Sequence, residues 1–126
     1  MPGLTTTKQY SSGDYTWLYN SRGITFGMTA VLDITKFTKA THYPDGYVRN
    51  GTPLNVANPS AIVPWSDTAG AVLGFVGGDY VTDGTAKVNV HVITHPEIVK
   101  LDRLPVPMTK PTVAPQPHIQ FVTLGA

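Results

Sequence analysis

The sequence contains no cysteine and few charged residues. The absence of thiols in all 126 residues excludes a disulfide framework, a cysteine-ligated zinc site and thiol catalysis. The 9 lysines and arginines are scattered and balanced by 8 aspartates and glutamates, so we do not expect binding driven by phosphate neutralisation. Stability has to come from a hydrophobic core, for which the length of one domain suffices.

Long hydrophobic runs are also lacking. No segment approaches the roughly 18 apolar residues of a membrane span. The polar start, MPGLTTTKQYSSGDYTW, has no apolar core of the kind found in signal peptides. We therefore expect a soluble protein that is not exported through a cleaved signal and that contacts neither a membrane nor nucleic acid directly.

Glycine and proline are abundant where charge is scarce. The chain has 12 glycines and 11 prolines, whereas charged residues make up only 13% of it, so long solvated helices have little material to form from. This composition predicts a mainly β fold with little helix.

Periodicity and turn residues together indicate about seven short strands. Alternation predicts strands in MTAVLDITKF and in KVNVHVI, the latter after a hairpin-type Asp83-Gly84 turn. Two short runs flank Asn58-Pro59, and a continuous apolar run, AVLGFV, contains Gly74, which indicates close backbone approach or a bulge. HIQFVTL predicts a last strand returning to the sheet.

The segment THPEIVKLDRLP is ambiguous between a helix and a strand. Thr94 and Glu97 have the spacing of a capping box, but the β-branched pair Ile98-Val99 and the alternation favour a strand. Residues 105–117 carry five prolines and predict an extended, irregular connection. The whole pattern predicts a small single-domain antiparallel β-barrel or sandwich-like fold.

The histidines and acidic residues do not form a convincing site. His91 and His95 would be four apart on a strand, about 13 Å from each other and too far to share an ion. Asp79 and Asp83 lie in GGDYVTDG, which lacks the repeated ligands of a calcium loop and is explained by turn chemistry. We predict no metal, no cofactor and no catalytic residue.

Serine-based catalysis is the remaining enzymatic possibility. Ser60 or Ser66 could be combined with a histidine (His42 or His118) and an aspartate, but neither serine lies in a nucleophile elbow. We therefore predict that the protein is not an enzyme. The turn-dense stretch THYPDGYVRNGTPLN is then a scaffold corner rather than a catalytic loop, with Pro44-Asp45-Gly46 and Asn50-Gly51 reversing the chain.

The N-terminal segment is the least ordinary part of the sequence. A polar, unpatterned stretch leads directly into a cluster of aromatic side chains at Tyr10, Tyr15, Trp17 and Tyr19. Either Trp17 and Leu18 fold back onto the core, or the segment is a docking arm that adds a strand to another protein and is anchored by aromatic contacts.

The order of these elements resembles the head-decoration (capsid-stabilising) proteins of tailed bacteriophages. The likeness is to the lambda-type family, particularly to forms in phages of actinobacteria. It lies in DYTWLYNSRG, TAVLDITKFT, THYPDGYVRNGTPL, AGAVLGFVGG, HPEIVKLDRLP and PHIQFV, in that order, and spans nearly the whole chain. Of these pieces, THYPDGYVRNGTPL is the most specific.

The resemblance implies a β-tulip domain that forms homotrimers at three-fold positions on the outer surface of the mature capsid, made in the host cytoplasm and carried on the virion. Residues 1–20 would be an arm that binds the major capsid protein, and residues 21–126 the decoration domain, with the connection at 105–117 and a last strand at 118–124. The predicted arm contacts are Leu4, Thr5, Thr6, Thr7, Tyr10, Tyr15, Trp17 and Leu18.

A trimer should bury an apolar patch at its axis. The candidate residues are Tyr43, Tyr47, Trp65 and Phe75, although Val72 and Phe75 are also candidates for ordinary core. The alternative function, from a different class, is a carbohydrate- or receptor-binding β-domain on the virion surface that uses exposed tyrosine and tryptophan rings as stacking platforms.

Overall fold

The computed structural model describes residues 16–18, 27–85, 87–96 and 98–123. These ranges contain very little helix: the four-residue helix α1 (Lys39–His42) and two 3-10 turns at Ile34–Lys36 and Leu101–Arg103. The strands are β1 (Gly27–Leu32), β2 (Tyr47–Val48), β3 (Pro53–Asn55), β4 (Val63–Pro64), β5 (Leu73–Val76), β6 (Tyr80–Val81), β7 (Val88–Ile93), β8 (Ile98–Lys100) and β9 (Gln120–Val122). The predicted mainly β class is confirmed.

Five strands form one antiparallel sheet in the order β1-β7-β5-β3-β4. The sheet curls into a half-barrel, because the end of β1 meets the chain just before β4. Leu32 and Ile62 form an isolated bridge there, and the N–H of Val31 donates to the carbonyl of Pro59 at 3.0 Å. Two further pairs, β2 with β6 and β8 with β9, lie outside this sheet.

Strand β5 is buried on both faces, which explains its continuous apolar sequence. Leu73 and Phe75 pack on one side of the sheet, and Val76 packs on the other. A Cβ at Gly74 would lie 2.8 Å from methyl groups of Val56 and Val92, so the tight space at this glycine comes from neighbouring side chains and not from the close backbone approach that was predicted.

Two hydrophobic cores lie on opposite faces of the sheet. The first core consists of Ala30, Leu32, Ile34, Phe37, Tyr43, Val48, Leu54, Val56, Ile62, Val76, Val90 and Val92. The second core consists of Trp17, Leu18, Leu73, Phe75, Ile93, Val99 and Ile119. The second core brings the N-terminal segment, β8 and the stretch before β9 together over β5.

Some predicted strands are found at the expected positions but pair with other strands than expected. Asp83-Gly84 does turn the chain, with Gly84 at φ 84°, but β6 pairs with β2 while β7 pairs with β1 and β5, so the turn makes no hairpin between them. The predicted return of the last strand to the main sheet is wrong, since β9 pairs in parallel with β8. This parallel pair is also an exception to the antiparallel prediction.

The first predicted strand is shorter than expected. It ends at Leu32, because the chain enters the 3-10 turn in which the N–H of Lys36 donates to the carbonyl of Asp33. The hydroxyl of Thr35 also donates to the Asp33 carboxylate at 2.6 Å, a local bond that competes with strand pairing. By contrast, the strand at Ile98–Lys100 is confirmed, and residues 105–117 contain neither helix nor strand.

The scaffold-corner interpretation of THYPDGYVRNGTPLN agrees with the backbone. Gly46 and Gly51 have φ of 85° and 95°, as the two predicted chain reversals require, and β3 begins at Pro53. The helix α1 at the start of this stretch was not predicted. Within the described residues, no helix combines the length and the hydropathy needed to cross a bilayer.

Candidate binding site at the N-terminal segment

The side chains of Trp17 and Leu18 lie in the second core. Trp17 is 1% exposed, and its indole stacks on the ring of Phe75 with centroids 4.8 Å apart and an interplanar angle of 30°. Leu18 is also buried. The sequence left open whether Trp17 and Leu18 pack on the core or belong to a docking arm. Their side chains pack on the core.

The backbone of the same segment is tied to β8. The N–H of Lys100 donates to the carbonyl of Trp17 at 2.8 Å, and Leu18 forms an antiparallel bridge with Val99. Side-chain burial and main-chain pairing thus hold the same two residues. We call residues 16–18 the anchor of the N-terminal segment.

The Asn50-Gly51 turn forms the polar side of the anchor. The indole N–H of Trp17 donates to Oδ1 of Asn50 at 2.9 Å in a buried contact between residues 33 apart. The turn itself is held through two of its backbone N–H groups: that of Asn50 donates to the Asp79 carboxylate at 2.7 Å, and that of Gly51 donates to the carbonyl of Val76 at 2.8 Å. Because an indole N–H can only donate, the contact fixes which end of the Asn50 amide is oxygen.

A polar pocket of about 260 Å³ opens beside the anchor. The lining residues are Thr16, Tyr47, Arg49, Asn50, Asp79, Arg103 and Pro105. Asn50 is 4% exposed, and its Nδ2 is buried without a hydrogen-bond partner. Such a donor costs about 1–3 kcal/mol when it is left unpaired. It is therefore the least satisfied polar group found among the described side chains.

The charges around the pocket are balanced within the chain. Arg49 is hydrogen-bonded to the carboxylate of Asp45, and this contact raises the pKa of Arg49 above its usual value. Arg103 lies 3.6 Å from the carboxylate of Asp102. These pairs suit the pocket to a neutral polar contact rather than to an anion.

The other six predicted arm contacts precede the anchor in the sequence. Leu4, Thr5, Thr6, Thr7, Tyr10 and Tyr15 lie outside the described residues. Of the eight predicted arm contacts, Trp17 and Leu18 are described, and both belong to the domain core.

The four predicted trimer-interface residues divide between core and surface. Phe75 is fully buried and Tyr43 is 8% exposed, so their side chains have almost no surface to offer a second copy. Tyr47 and Trp65 are half-buried and keep some surface. For Val72 and Phe75, the core interpretation is right for Phe75 and wrong for Val72, which is 43% exposed.

Three of the residues considered for chemistry make structural contacts. Nδ1 of His42 accepts the N–H of Thr38 at 2.9 Å, and Asp45 is paired with Arg49. Asp83 caps its own turn by accepting the N–H of Thr85 at 2.9 Å, which agrees with the turn chemistry predicted for it. No group of three or more His, Asp or Glu in the described ranges is positioned to hold a metal ion.

Two long-range contacts were missed by sequence reasoning. The Asp67 carboxylate accepts the N–H groups of Thr112, Val113 and Ala114, which tie the proline-rich connection to the loop before β5. The rings of His95 and His118 lie 5.0 Å apart. Neither contact has a local sequence signal, since the partners are separated by 45 and 23 residues.

The comparisons with known proteins leave the chain without an assigned relative. No family model, no curated protein and no solved structure matches it. Functional proposals for this chain therefore rest on its own residues and on the resemblance of its sequence elements.

Proposed function

We propose that the protein is a head-decoration protein that binds the outer surface of a mature bacteriophage capsid as a homotrimer at three-fold positions. Its N-terminal arm contacts the major capsid protein, and its domain has the β-tulip fold. The observation that carries the proposal is the anchor. Trp17 and Leu18 fasten the base of the N-terminal segment to the second core, so a contact made by the segment is transmitted to the domain.

The physical task of such a protein explains why an anchored arm is useful. Packed nucleic acid repels itself and pushes the shell outward, and junctions between capsomers are its weakest lines. A trimer across a junction contacts several subunits at once, and each bound arm raises the effective concentration of the others. Three modest contacts then hold much more tightly than one.

An anchor of this kind also resists pulling. Extracting Trp17 would expose its indole, break the bond to Asn50 and unstack Phe75. Removing a buried tryptophan side chain costs roughly 3–5 kcal/mol. Tension on the arm is therefore carried into the sheet through β5 and β8.

The trimer contact draws on surface that the fold leaves apolar. Val72 belongs to the same AVLGFV run as Phe75 but remains 43% exposed, and Trp65 is half-buried. We assign Tyr47, Trp65 and Val72 to the interface in place of the buried Tyr43 and Phe75. The competing function, glycan or receptor binding, would use exposed aromatic rings. Trp17 cannot serve as one of them, because it is buried.

Removal of residues 1–12 tests the proposal, because it takes away the arm and leaves the anchor in place. The truncated chain is expected to remain a folded trimer and to bind undecorated mature heads of the encoding phage much more weakly than the full chain. A second variant, with residues 1–12 replaced by a Gly/Ser sequence of equal length, separates arm length from arm sequence.

The outcomes distinguish the parts of the proposal. Undiminished binding by the truncated chain would overturn the role of the arm. Failure of the full chain to bind heads, together with specific binding on a glycan panel by both forms, would instead favour the carbohydrate-binding function. Sedimentation measures the oligomer, and a monomer both free and on the shell would overturn the trimer.

A further inference from the structure

His95 and His118 come from different parts of the chain and meet at the surface. His95 follows the end of β7 and His118 precedes β9, and both side chains are exposed. Their ring centroids are 5.0 Å apart with an angle of 47° between the planes. Two exposed imidazoles at this distance are close enough to bind one ligand together.

Each ring has one nitrogen oriented by the same residue, Thr94. Nε2 of His118 lies 3.2 Å from the Thr94 carbonyl oxygen, and Nδ1 of His95 lies 2.9 Å from the Thr94 hydroxyl. A carbonyl can only accept, so Nε2 of His118 carries a hydrogen, and in the neutral ring this leaves the lone pair of Nδ1 available. When Nδ1 of His95 donates to the hydroxyl, its Nε2 is likewise available.

This arrangement is the one that metal-binding histidines use. A ligand imidazole usually donates its second ring N–H to a carbonyl or another oxygen, which fixes the tautomer and the ring orientation. Here Thr94 supplies that second contact for both rings. In their neutral forms the two imidazoles then offer one lone pair each, without a carboxylate or a thiolate.

The separation of the rings fits a shared ion. With zinc–nitrogen distances of about 2.0–2.1 Å and a tetrahedral angle, two coordinated imidazoles have centroids roughly 5 Å apart. The observed 5.0 Å matches this value. Because both side chains are exposed, water can complete the coordination, and imidazole nitrogen selects zinc and its neighbours over magnesium or calcium.

We propose that His95 and His118 form a binding site for a divalent transition-metal ion such as Zn²⁺, through Nε2 of His95 and Nδ1 of His118, with water as the remaining ligands. The ion would staple the loop after β7 to the residues before β9. That position lies beside the three-residue parallel pair of β8 and β9, in a chain that has no cysteine to form a disulfide there.

Zinc chloride titrated into the full-length protein tests the site, with isothermal calorimetry for affinity and NMR of the histidine ring nitrogens for location. One ion per chain is expected to bind and to shift the ring signals of His95 and His118. His95→Asn and His118→Asn should each weaken binding by at least about tenfold, since the effective concentration of the second ligand is lost. Bound zinc should also raise the midpoint of thermal unfolding.

His42→Asn is the matched control, because it removes an imidazole elsewhere and its amide oxygen can still accept the N–H of Thr38. This variant should bind zinc as the parent does. Equal weakening by all three substitutions would show dispersed surface binding and overturn the site, as would unchanged affinity in the His95 and His118 variants. Competition by Mg²⁺ at the same concentration as Zn²⁺ would also contradict coordination by imidazole.

Discussion

The indole of Trp17 occupies the space in which a side chain at Gly51 would begin. A Cβ at residue 51 would lie 2.6 Å from Cδ1 and 2.8 Å from Nε1 of Trp17, closer than any real contact between such atoms. Gly51 also has φ of 95°, a conformation that side chains disfavour. The Asn50-Gly51 turn and the anchor are therefore in direct contact, and a larger residue at position 51 requires the indole of Trp17 to move.

Gly51→Ala should destabilise the domain by about 2–4 kcal/mol, since it adds a steric conflict with the indole to the cost of positive φ. Urea denaturation followed by tryptophan fluorescence measures the loss. Gly46→Ala is the control, because Gly46 has a similar φ of 85° but open space around its missing Cβ. It should cost only about 1 kcal/mol, and equal losses for the two variants would contradict the contact with Trp17.

The hydrogen bond from Trp17 to Asn50 should be measurable as a coupling energy. Trp17→Phe keeps an aromatic ring over Phe75 but removes the indole N–H, which leaves the buried Oδ1 of Asn50 without its donor. We expect a loss of about 1–3 kcal/mol from the unpaired acceptor, plus a packing contribution.

Asn50→Ala, made alone and in the Trp17→Phe background, completes the double-mutant cycle. The coupling between the two residues should be about 1–2 kcal/mol, because the second substitution removes the acceptor that the first left unpaired. Additive losses would show that the contact contributes nothing beyond packing.

The elements of this fold were predictable wherever a strand has a local signal. Alternating and continuous apolar runs located β5 and β7 and most of β1, since burial on one or both faces imposes a period on the sequence itself. Gly74 was recognised as a position without room for a side chain, but the space is taken by methyl groups of Val56 and Val92 and not by a neighbouring backbone.

Pairing and long-range side-chain contacts were not predictable in the same way. Nothing in PHIQFV distinguishes pairing with β8 from a return to the main sheet, because strand patterns encode burial and not the partner. Asn50-Gly51 is recognisable as a turn, but its amide contact with Trp17 depends on a residue 33 positions away. The same holds for the meeting of His95 with His118.

The fold makes stability depend on the protonation of His42. Burial of its imidazole, which packs edge-on against Phe37 at 5.1 Å, lowers the pKa of His42 below 6.5. Nδ1 accepts the N–H of Thr38 and so carries no proton in the folded state. A histidine whose pKa is lower in the folded state stabilises the fold at pH values above 6.5, its pKa in the unfolded state. This contribution is lost as the pH falls through the lower pKa of the folded state.

An NMR titration of the ring protons should therefore place the midpoint of His42 below 6.5. Stability should also decline less between neutral and mildly acidic pH in His42→Asn than in the parent, because the amide has no proton to gain. A midpoint at or above the usual value would contradict the effect of burial.

A second pH dependence comes from Asp67, which binds the proline-rich connection. Its carboxylate accepts the N–H groups of Thr112 and Ala114 at 2.8 Å each and that of Val113 at 3.1 Å. These backbone bonds, that of Thr112 foremost, hold the pKa of Asp67 below its usual 3.8. Its contribution is complete above pH 3.8 and is lost as the pH falls through the lower, folded value.

Asp67→Asn should therefore loosen the segment at neutral pH and remove part of the stability loss that acid causes in the parent. The amide has a single acceptor oxygen, so it cannot serve all three N–H groups as the two carboxylate oxygens do. Hydrogen exchange at residues 112–114 should become faster in the variant, while amides in β5 and β7 should be unchanged. Unaltered exchange at residues 112–114 would show that the connection holds its shape without Asp67.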